Sequence, residues 1–563
     1  MPGSTPLHHG AVPLNAGRPA GPVANVSGLT VEMLSIGKLV AGQARYYLDQ
    51  AEARVDVVES IGDGVEEYYL GPTEARGEWI GAASAELRLS RTVEAAALRR
   101  VLAGVDPRDG SALRSSSSRA RVAGFDLTFS APKSVSVVFG LADDGVRRRV
   151  RVAHDLAVRE AVGYLERCAA AVRRGHAGAV VEEASGLVAA AFRHRTSRAG
   201  DPQLHTYVLV VNLGRGLDGR WSALDARRLY AHARTASFVY QAVLRRELTR
   251  ALGVDWTPVR RGIAEIVGIP RPVMRAFSRR RAEIDAALAG RGTSGARAAE
   301  AAALATRAAK DPLVAPEALV GEWRSRARAL GFDCQRLQAV VGRRRGFGPA
   351  ADDWRKALSA LAAPSGLTRR SATFSRPDVI QALCEALPAG ARIDAPLLER
   401  AADRFLGSSH AVPIAPDAAA RGSGEAFRRR DGRLLPAGLD GLRYSTPEHL
   451  ALEQRLIDRA LGSLNRGAGT SNGAIVERTL SARPTVSREQ RHVVEALCRH
   501  GHGVAIVTGK AGTGKTFALA AAREAWLPGA GRGDGAPRCR RAATASGDPK
   551  HQHRGAARRP SPR

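Results

Sequence analysis

Hydrophobic and polar positions alternate along several short segments in the first half of the chain, a pattern that predicts β-strands. Residues 33–39, 122–129, 186–195 and 204–213 follow it. The turn-rich stretch 196–202 separates the last two segments, so we expect these two strands to be adjacent and antiparallel.

Apolar positions at helical spacing occupy the intervals between these strands. They predict a long amphipathic helix over residues 143–175, and Ala- and Arg-rich helices over residues 226–252 and 270–310. A shorter helix is predicted over residues 42–50. Because strands and helices are mixed along the chain, the predicted fold class is α+β.

The second half of the chain reads differently. Gly-, Pro- and Ser-rich stretches separate helices that are predicted over residues 376–388, 396–406 and 446–463. This composition predicts a looser, helical second module.

A third pattern begins at Ser487. A predicted helix leads into an apolar strand over residues 503–508, which is followed by the glycine-rich segment 509–516 and a helix over residues 517–526. This order of elements predicts a partial P-loop α/β element.

Charge narrows the class of partner. The 563 residues include 85 Lys and Arg against 55 Asp and Glu, a formal net charge of +30 at pH 7. An excess of this size fits a polyanionic partner, nucleic acid first. The length allows about three domains, and 44% hydrophobic residues can build cores, which excludes a wholly disordered chain.

Cysteines and apolar runs indicate the compartment. The five cysteines lie singly and far apart, with no C-x-x-C pair, which favours a reducing cytoplasm. No apolar run approaches the roughly 18 residues of a membrane helix, so we expect a cytoplasmic protein without membrane insertion.

The two adjacent strands carry a candidate metal site. Side chains alternate between faces, so His205 and position 207 point the same way, and His194 on the neighbouring strand can lie opposite them. Neutral imidazoles suit a divalent cation, and Asp126 on a third strand could orient an imidazole or accept a proton. The alternative is that both histidines decorate a hairpin without binding metal.

Separated motifs follow one another along the chain. They are Met33-Leu34-Ser35, Tyr46-Tyr47, Tyr68-Tyr69, 125–136 (FDLTFSAPKSVS), 192–198 (FRHRTSR), 201–206 (DPQLHT), 221–224 (WSAL) and 277–281 (FSRRR). In type and order these motifs resemble those of the MobF (TrwC/TraI-like, HUH-type) conjugative relaxases, and the resemblance covers roughly residues 33–345.

This resemblance implies a palm-like antiparallel sheet, flanked by helices, that binds single-stranded DNA at a transfer origin. It implies that Tyr46 attacks the scissile phosphodiester to form a 5′-phosphotyrosyl enzyme, and that Tyr68 serves later strand transfer. Tyr47 and Tyr69 rank below them in each pair, and core packing of the tyrosines is the alternative. A phenol with a pKa of about 10 needs help to ionise, a role that fits Asp126.

One position departs from the family pattern. The family's metal strand reads His-x-His, whereas this one reads His205-Thr206-Tyr207. The implied ligands of a divalent metal, Mg²⁺ or Mn²⁺, are therefore His194, His205 and Tyr207, with Asp126, water or DNA phosphate oxygens able to complete the shell. The alternative function is a catalytically impaired relaxase-like DNA-binding protein.

The segment 509–516 (GKAGTGKT) satisfies the P-loop pattern G-x-x-x-x-G-K-[ST]. Backbone N–H groups of such a loop hold phosphates, the lysine reaches the β/γ-phosphates and the threonine holds Mg²⁺. It resembles the opening of a superfamily-1 helicase, and because only a short helix follows, we expect ATP and Mg²⁺ to bind without hydrolysis or unwinding. The predicted nucleotide-binding residues are Gly509, Gly512, Gly514, Lys515, Thr516 and Gln490.

The predicted organisation has five segments. The tail has the look of a shifted reading frame, with a natural basic tail as the alternative. The expected partners are single-stranded transfer-origin DNA, a conjugation coupling protein and accessory DNA-binding proteins. The segments are a disordered N-terminal extension (1–32), a TrwC-like relaxase domain (33–345), a linker and helical lead-in (346–486), a partial P-loop helicase segment (487–526) and a disordered basic tail (527–563).

Overall fold

The chain forms two compact units, which divide near residue 345. The first unit ends at Arg345, and the second begins at Gly346 and also includes Val259–Gly262. The computed structural model describes residues 34–39, 47, 77–114, 122–175, 180–290, 298, 302, 316–343, 351–414, 442–510 and 512–527.

A five-stranded antiparallel sheet forms the centre of the first unit. Its strand order is β1-β3-β7-β6-β2, so that β7 is the central strand. The strands are β1 (Leu34–Leu39), β2 (Glu78–Ile80), β3 (Gly124–Ser130), β6 (Ala189–Thr196) and β7 (Pro202–Val211).

The predicted hairpin is confirmed. β6 and β7 pair antiparallel, with His194 opposite His205 and Phe192 opposite Tyr207, and the register shifts between His194 and Thr196. Most residues of β7 are buried, as expected for a strand with neighbours on both sides.

Helices and two short hairpins complete the first unit. The hairpins pair β4 (Ala171–Arg174) with β5 (Val180–Glu183), and β8 (Gly214–Arg215) with β9 (Trp221–Ser222). The helices are α1 (Ala82–Glu86), α2 (Ala95–Ala103), α3 (Lys133–Leu141), α4 (Asp144–Ala169), α5 (Ala226–Leu252), α6 (Arg271–Ala276), α7 (Arg279–Gly290), α8 (Pro316–Ala329) and α9 (Cys334–Gln338).

Two predicted helices end earlier than expected. The helix predicted over residues 143–175 ends at Ala169, because the segment after it pairs as β4 with β5. The helix predicted over residues 270–310 is interrupted after Ala276, and a new helix begins at Arg279. Between the two helices, the hydroxyl of Ser278 donates to the carbonyl of Met274.

The two faces of the sheet differ in what they bury. One face packs into an apolar cluster that includes Tyr47, Trp79 and Phe192. On the other face, the ring of Phe129 lies 5.4 Å from that of Tyr240 on α5. The mixed α+β class and the helix-flanked antiparallel sheet are therefore confirmed.

A buried carboxylate ties the turn between β6 and β7 to two helices. Asp201 is fully buried, and its oxygens accept hydrogen bonds from the backbone N–H and guanidinium of Arg279, at 2.8 Å each. The guanidinium of Arg326 donates to the same carboxylate at 2.9 Å. The indole of Trp323 donates to the carbonyl of Gly200 at 2.9 Å. This turn is therefore fixed by α7 and α8.

The second unit is mostly helical. Only short strands occur in its described part, where β10 pairs antiparallel with β11. Its elements are α10 (Ala351–Ala362), a 3₁₀ helix (Leu367–Arg369), α11 (Arg376–Ala386), α12 (Ala395–Leu406), β10 (Val412–Ile414), β11 (Arg443–Ser445), α13 (Pro447–Leu461), α14 (Gly473–Ser481), α15 (Arg488–Arg499) and α16 (Lys515–Trp526).

The strand predicted over residues 503–508 is wrong. These residues are described but adopt no strand, and Val504 and Ile506 are 50% and 87% exposed. A strand needs a neighbour to pair with, and none lies beside this segment within the described residues. The P-loop segment therefore consists of helices and a loop, not of an α/β element.

Several predicted features lie outside the described residues. They include the extension 1–32, the helix 42–50 apart from Tyr47, and the tail 527–563 apart from Leu527. No helix in the described part is both long and apolar enough to cross a bilayer.

Candidate active site

Two histidines face each other at the end of the β6–β7 hairpin. The rings of His194 and His205 are stacked, with centroids 5.1 Å apart and planes inclined by 27°. Both are buried, with 2% and 9% of their surface exposed. Their pairing follows from the strand register, which sets His194 directly opposite His205.

Tyr207 completes this group. Its ring lies edge-on to both imidazoles, with centroids 4.8 Å from His194 and 5.1 Å from His205. Nδ1 of His205 lies 2.9 Å from the carbonyl oxygen of Gln203. When Nδ1 carries the proton, Nε2 keeps the lone pair that a metal ligand requires.

Two ring nitrogens, one from His194 and one from His205, can bind a divalent cation. Within the described residues, no three His, Cys, Asp or Glu side chains come together as a metal site. A third protein donor near His194 and His205 would therefore be the phenol oxygen of Tyr207, which binds metal weakly when neutral.

Asp126 lies on the same face of the sheet and contacts a tyrosine. The hydroxyl of Tyr47 donates to Oδ2 of Asp126 at 2.6 Å. Burial raises the pKa of the Asp126 carboxyl above its ordinary value, and the hydrogen bond from Tyr47 opposes this increase. Oδ1 of Asp126 is buried and has no hydrogen-bond partner among the described residues. This oxygen is therefore available to a further donor.

The described tyrosine is not the one that the resemblance favours. Tyr47 is 3% exposed, and its ring lies 5.4 Å from that of Phe192 and 6.2 Å from that of Tyr207. Tyr46 and Tyr68 lie outside the described residues. The structure thus brings Asp126 together with Tyr47.

A buried histidine supports the site strand from behind. Nε2 of His154 lies 2.8 Å from the hydroxyl of Thr206, and its Nδ1 lies 2.8 Å from the hydroxyl of Tyr240. Burial holds the pKa of His154 well below its ordinary value, so the ring is neutral. Sequence analysis missed this residue, because one histidine within an amphipathic helix carries no distinguishing signal.

A lysine from α3 supports the start of the same strand. Nζ of Lys133 donates to the carbonyl of Pro202 at 3.1 Å and to Oε1 of Gln203 at 2.6 Å. Burial lowers the pKa of Lys133 to about 8. The carbonyl of Gln203 in turn contacts His205, so Lys133 is linked to the histidine through one residue.

Hydrogen bonds form within the P-loop, and Gln490 donates another to it. Nζ of Lys515 donates to the carbonyls of Gly509 and Lys510 at 2.7 and 2.8 Å. Gln490 donates from Nε2 to the carbonyl of Thr513 at 3.0 Å. Gln490 also accepts from the N–H of Ser487 at 3.1 Å, within a capping box at the start of α15.

Glycine is required at one P-loop position. Gly514 has φ +74°, and a Cβ there would lie 2.3 Å from Nε2 of Gln490. Gln490, a predicted nucleotide-binding residue, thus contacts the loop, while the amine of Lys515 is bonded within the loop itself. Gly512 and Thr516 are described, and both are exposed.

A family model described as TrwC relaxase matches residues 41–330. The chain belongs to the TrwC relaxase family. A second model, described as an AAA domain, matches residues 485–546 and contains the P-loop. The candidate site of this TrwC-family chain lies wholly within the first match.

Two curated relatives are similar to the TrwC-family part of the chain. The Multifunctional conjugation protein TraI of Escherichia coli is 33% identical over 341 residues, and that of E. coli strain K12 is 32% identical over the same length. The alignments cover 57% of this chain and 18% of each relative. The chain thus spans about a fifth of their length.

Solved structures of TrwC are also similar. The metal-free conjugative relaxase TrwC in complex with OriT DNA is 32% identical, and the metal-bound complex is 33% identical. Each match covers 53% of this chain and 99% of the other, with a TM-score of 0.46.

Proposed function

We propose that this TrwC-family chain is a conjugative relaxase that nicks single-stranded transfer-origin DNA by transesterification onto a tyrosine. The observation that carries the proposal is a group of side chains on one sheet face. His194, His205 and Tyr207 converge there, and Asp126 accepts a hydrogen bond from the hydroxyl of Tyr47 at 2.6 Å. Family membership supports the same reaction.

In the proposed reaction, the phenol oxygen of Tyr46 bonds to the scissile phosphorus while the bond from phosphorus to the 3′ oxygen breaks. The products are a 5′-phosphotyrosyl chain and a free 3′-OH. The phenol must lose a proton and the leaving 3′ oxygen must gain one. In this proposal Asp126, which lies on the sheet face of His194 and His205, accepts the phenol proton and passes it to the leaving 3′ oxygen. The pKa of Asp126, raised by burial, lies nearer to that of a phenol than an exposed carboxyl's would. Tyr68 takes part in later strand transfer.

Tyr47 has a positioning role in this proposal. Its side chain packs among apolar residues, and its hydroxyl donates to Asp126, so it fixes the orientation of that carboxylate.

His194 and His205 would hold a divalent cation, Mg²⁺ or Mn²⁺, with Tyr207 beside them. When bound, such an ion would neutralise negative charge on the phosphate. The stacked imidazoles suit this role because the Gln203 carbonyl can fix the tautomer of His205.

A second candidate function is DNA binding with impaired cleavage. The observation that favours it is Tyr207, since a phenol stands where the family pattern has a third imidazole.

We also propose that the P-loop binds ATP and Mg²⁺ without hydrolysis, and that the chain's partners include a coupling protein and accessory DNA-binding proteins.

The test is formation of a covalent protein–oligonucleotide adduct on candidate origin oligonucleotides with Mg²⁺ or Mn²⁺. The adduct should disappear in Tyr46→Phe and persist in Tyr68→Phe. Tyr47→Phe is the matched control: it should slow the reaction by about 10- to 100-fold without abolishing it, as loss of a supporting contact does.

An adduct that survives in Tyr46→Phe but is lost in Tyr47→Phe would move the nucleophile to Tyr47. An adduct that never forms, together with tight binding of the oligonucleotide, would favour the impaired DNA-binding protein.

A further inference from the structure

In the second unit, the described stretches 351–414 and 442–446 contain three α-helices, a 3₁₀ helix and three extended segments. The chain runs α10, the 3₁₀ helix, an extended segment at Phe374, α11, α12, β10 and β11. The backbone N–H of Phe374 donates to the carbonyl of Tyr444 at 2.8 Å, and the N–H of Tyr444 donates back to Phe374 at 2.8 Å. β11 also pairs with β10, so β11 is the middle strand of a small antiparallel sheet.

A compact apolar core holds these elements together. The ring of Phe374 lies 6.3 Å from that of Phe405 on α12 and 6.2 Å from that of Tyr444. Leu383 on α11 and Leu398 on α12 are fully buried. The two helices are therefore anchored to each other and to the small sheet.

Side-chain caps fix where α11 and α12 begin. Ser375 and Asp378 form a capping box at the start of α11, and the carboxylate of Asp394 accepts from the N–H of Leu397 at the start of α12. Each cap satisfies backbone N–H groups in the first turn of its helix. The exposed face of α12 is thus presented by a well-defined helix.

Apart from the 3₁₀ helix, the order of the described elements is helix, extended segment, helix, helix, strand, strand, which resembles that of a winged helix-turn-helix. In helix-turn-helix proteins the second helix of the motif enters the major groove of duplex DNA, while the preceding helix crosses the backbone. Here these positions are taken by α12 and α11.

α12 carries two arginines and two acidic residues, and its arginines are the charged side chains that have no ion-pair partner among the described residues. Arg400 and Arg404 are exposed and one helical turn apart, so they lie on the same face. Neither forms an ion pair within the part of the chain that the structure describes. The acidic residues nearby are engaged: Arg376 pairs with Asp403 at 2.5 Å and lies 3.8 Å from Glu399.

We propose that the described stretches 351–414 and 442–446 form a duplex DNA-binding module, in which α12 lies in the major groove and Arg400 and Arg404 contact phosphates along it. This assigns the second unit a ligand distinct from the single strand proposed for the sheet. Phosphate contacts position the protein without reading sequence, so the module binds duplexes of unrelated sequence.

The test measures binding of the full chain to a short fluorescent DNA duplex by anisotropy, over a range of salt concentrations. The double substitution Arg400→Gln/Arg404→Gln should weaken binding about tenfold and lower the slope of log K against log[salt] by about two. Arg455→Gln/Arg459→Gln on α13 removes the same charge from an exposed helix outside the module, and it should change affinity less than about threefold.

Equal losses in both double variants would overturn the proposal, because they would show a response to net charge alone. Unchanged duplex binding in Arg400→Gln/Arg404→Gln would also overturn it and would favour a protein-binding module. Far-UV circular dichroism checks that both variants remain folded. Adduct formation on single strands should be unchanged in both, which separates this test from that of the relaxase proposal.

Discussion

The histidine face of the sheet and the P-loop were both predicted from short motifs. Among the described residues, only the histidine face is supported by paired strands. On the sheet, β7 has a paired neighbour on each side, and the strand register sets His194 opposite His205. At the P-loop, residues 503–508 form no strand, and Ile506 is 87% exposed. A motif therefore gives a site its side chains, but the neighbouring elements give it its geometry.

The difference extends to the lysine in each region. Lys133 donates to groups at the start of β7 and is largely removed from water, which lowers its pKa to about 8. Lys515 donates to carbonyls of its own loop. The first lysine is fixed by a tertiary structure and the second by a local turn.

The largest effect should come from the buried carboxylate behind the sheet site. Asp201→Asn leaves Arg279 and Arg326 without their buried anion, and it should lower the stability of the sheet by about 3–5 kcal/mol. Amide hydrogen exchange of the β7 segment, followed by mass spectrometry, measures this. Glu477→Gln is the control, because its ion pair with Arg491 is exposed and is worth about 0–1 kcal/mol. Similar costs for the two variants would remove the contrast between the regions.

Next in size is the loss of a metal-ligating imidazole. His205→Ala should reduce adduct formation at least about 100-fold, more than the loss of an outer-shell partner typically does. Lys515→Ala should leave adduct formation unchanged, because the P-loop takes no part in strand cleavage. Adduct assays with Mn²⁺, run in parallel on both variants, measure this difference. A comparable loss in Lys515→Ala would contradict the separation of the two sites.

A smaller, pH-dependent effect should come from Lys133. Because its pKa is about 8 in the folded chain and 10.5 ordinarily, the unfolded chain binds more protons between these values. The stability that this group contributes therefore rises with pH across that window. Relative to Lys133→Met, the unmodified chain should gain on the order of 1–3 kcal/mol from pH 8 to pH 10.5. Denaturant unfolding of both proteins across that range tests the sign, which a constant difference would refute.

The smallest change concerns the departure from the family pattern. Tyr207→His supplies a third imidazole beside His194 and His205, and it should raise the rate of adduct formation by about tenfold at limiting metal. Titration of the rate with Mn²⁺ shows whether the apparent metal affinity rises as well. No gain from a protein that is already fully active would show that the third imidazole is dispensable.

Sequence reasoning succeeded where local patterns and pairing coincide. The turn 196–202 and strand alternation were enough to predict His194 opposite His205. Asp126 was expected only on a third strand, and the pairing of β3 with β7 shows that it lies on the same face. The end of α4 was missed because an apolar segment beyond Ala169 can continue a helix or pair as a strand, and only β5 decides which.

The missed features depend on contacts distant in sequence. His154 acts through Thr206, 52 residues away, and Lys133 acts through Gln203, 70 residues away. The small sheet of the second unit pairs Phe374 with Tyr444, which is distant in sequence. It was missed because the Gly- and Pro-rich composition of this region predicted only helices and loops. The apolar run 503–508 predicted a strand wrongly, because apolar character supplies no pairing partner.

The position of β7 has a consequence for synthesis of the chain. β7 is the central strand of the sheet but the last of the five in sequence, and it alone joins β3 to β6. On the ribosome, β1 and β3 can pair early, but the two halves of the sheet cannot unite until residue 211 has emerged. The residues of the histidine pair therefore come together only after β7 has been made, when helix α4 is already complete and α5 to α9 have still to follow.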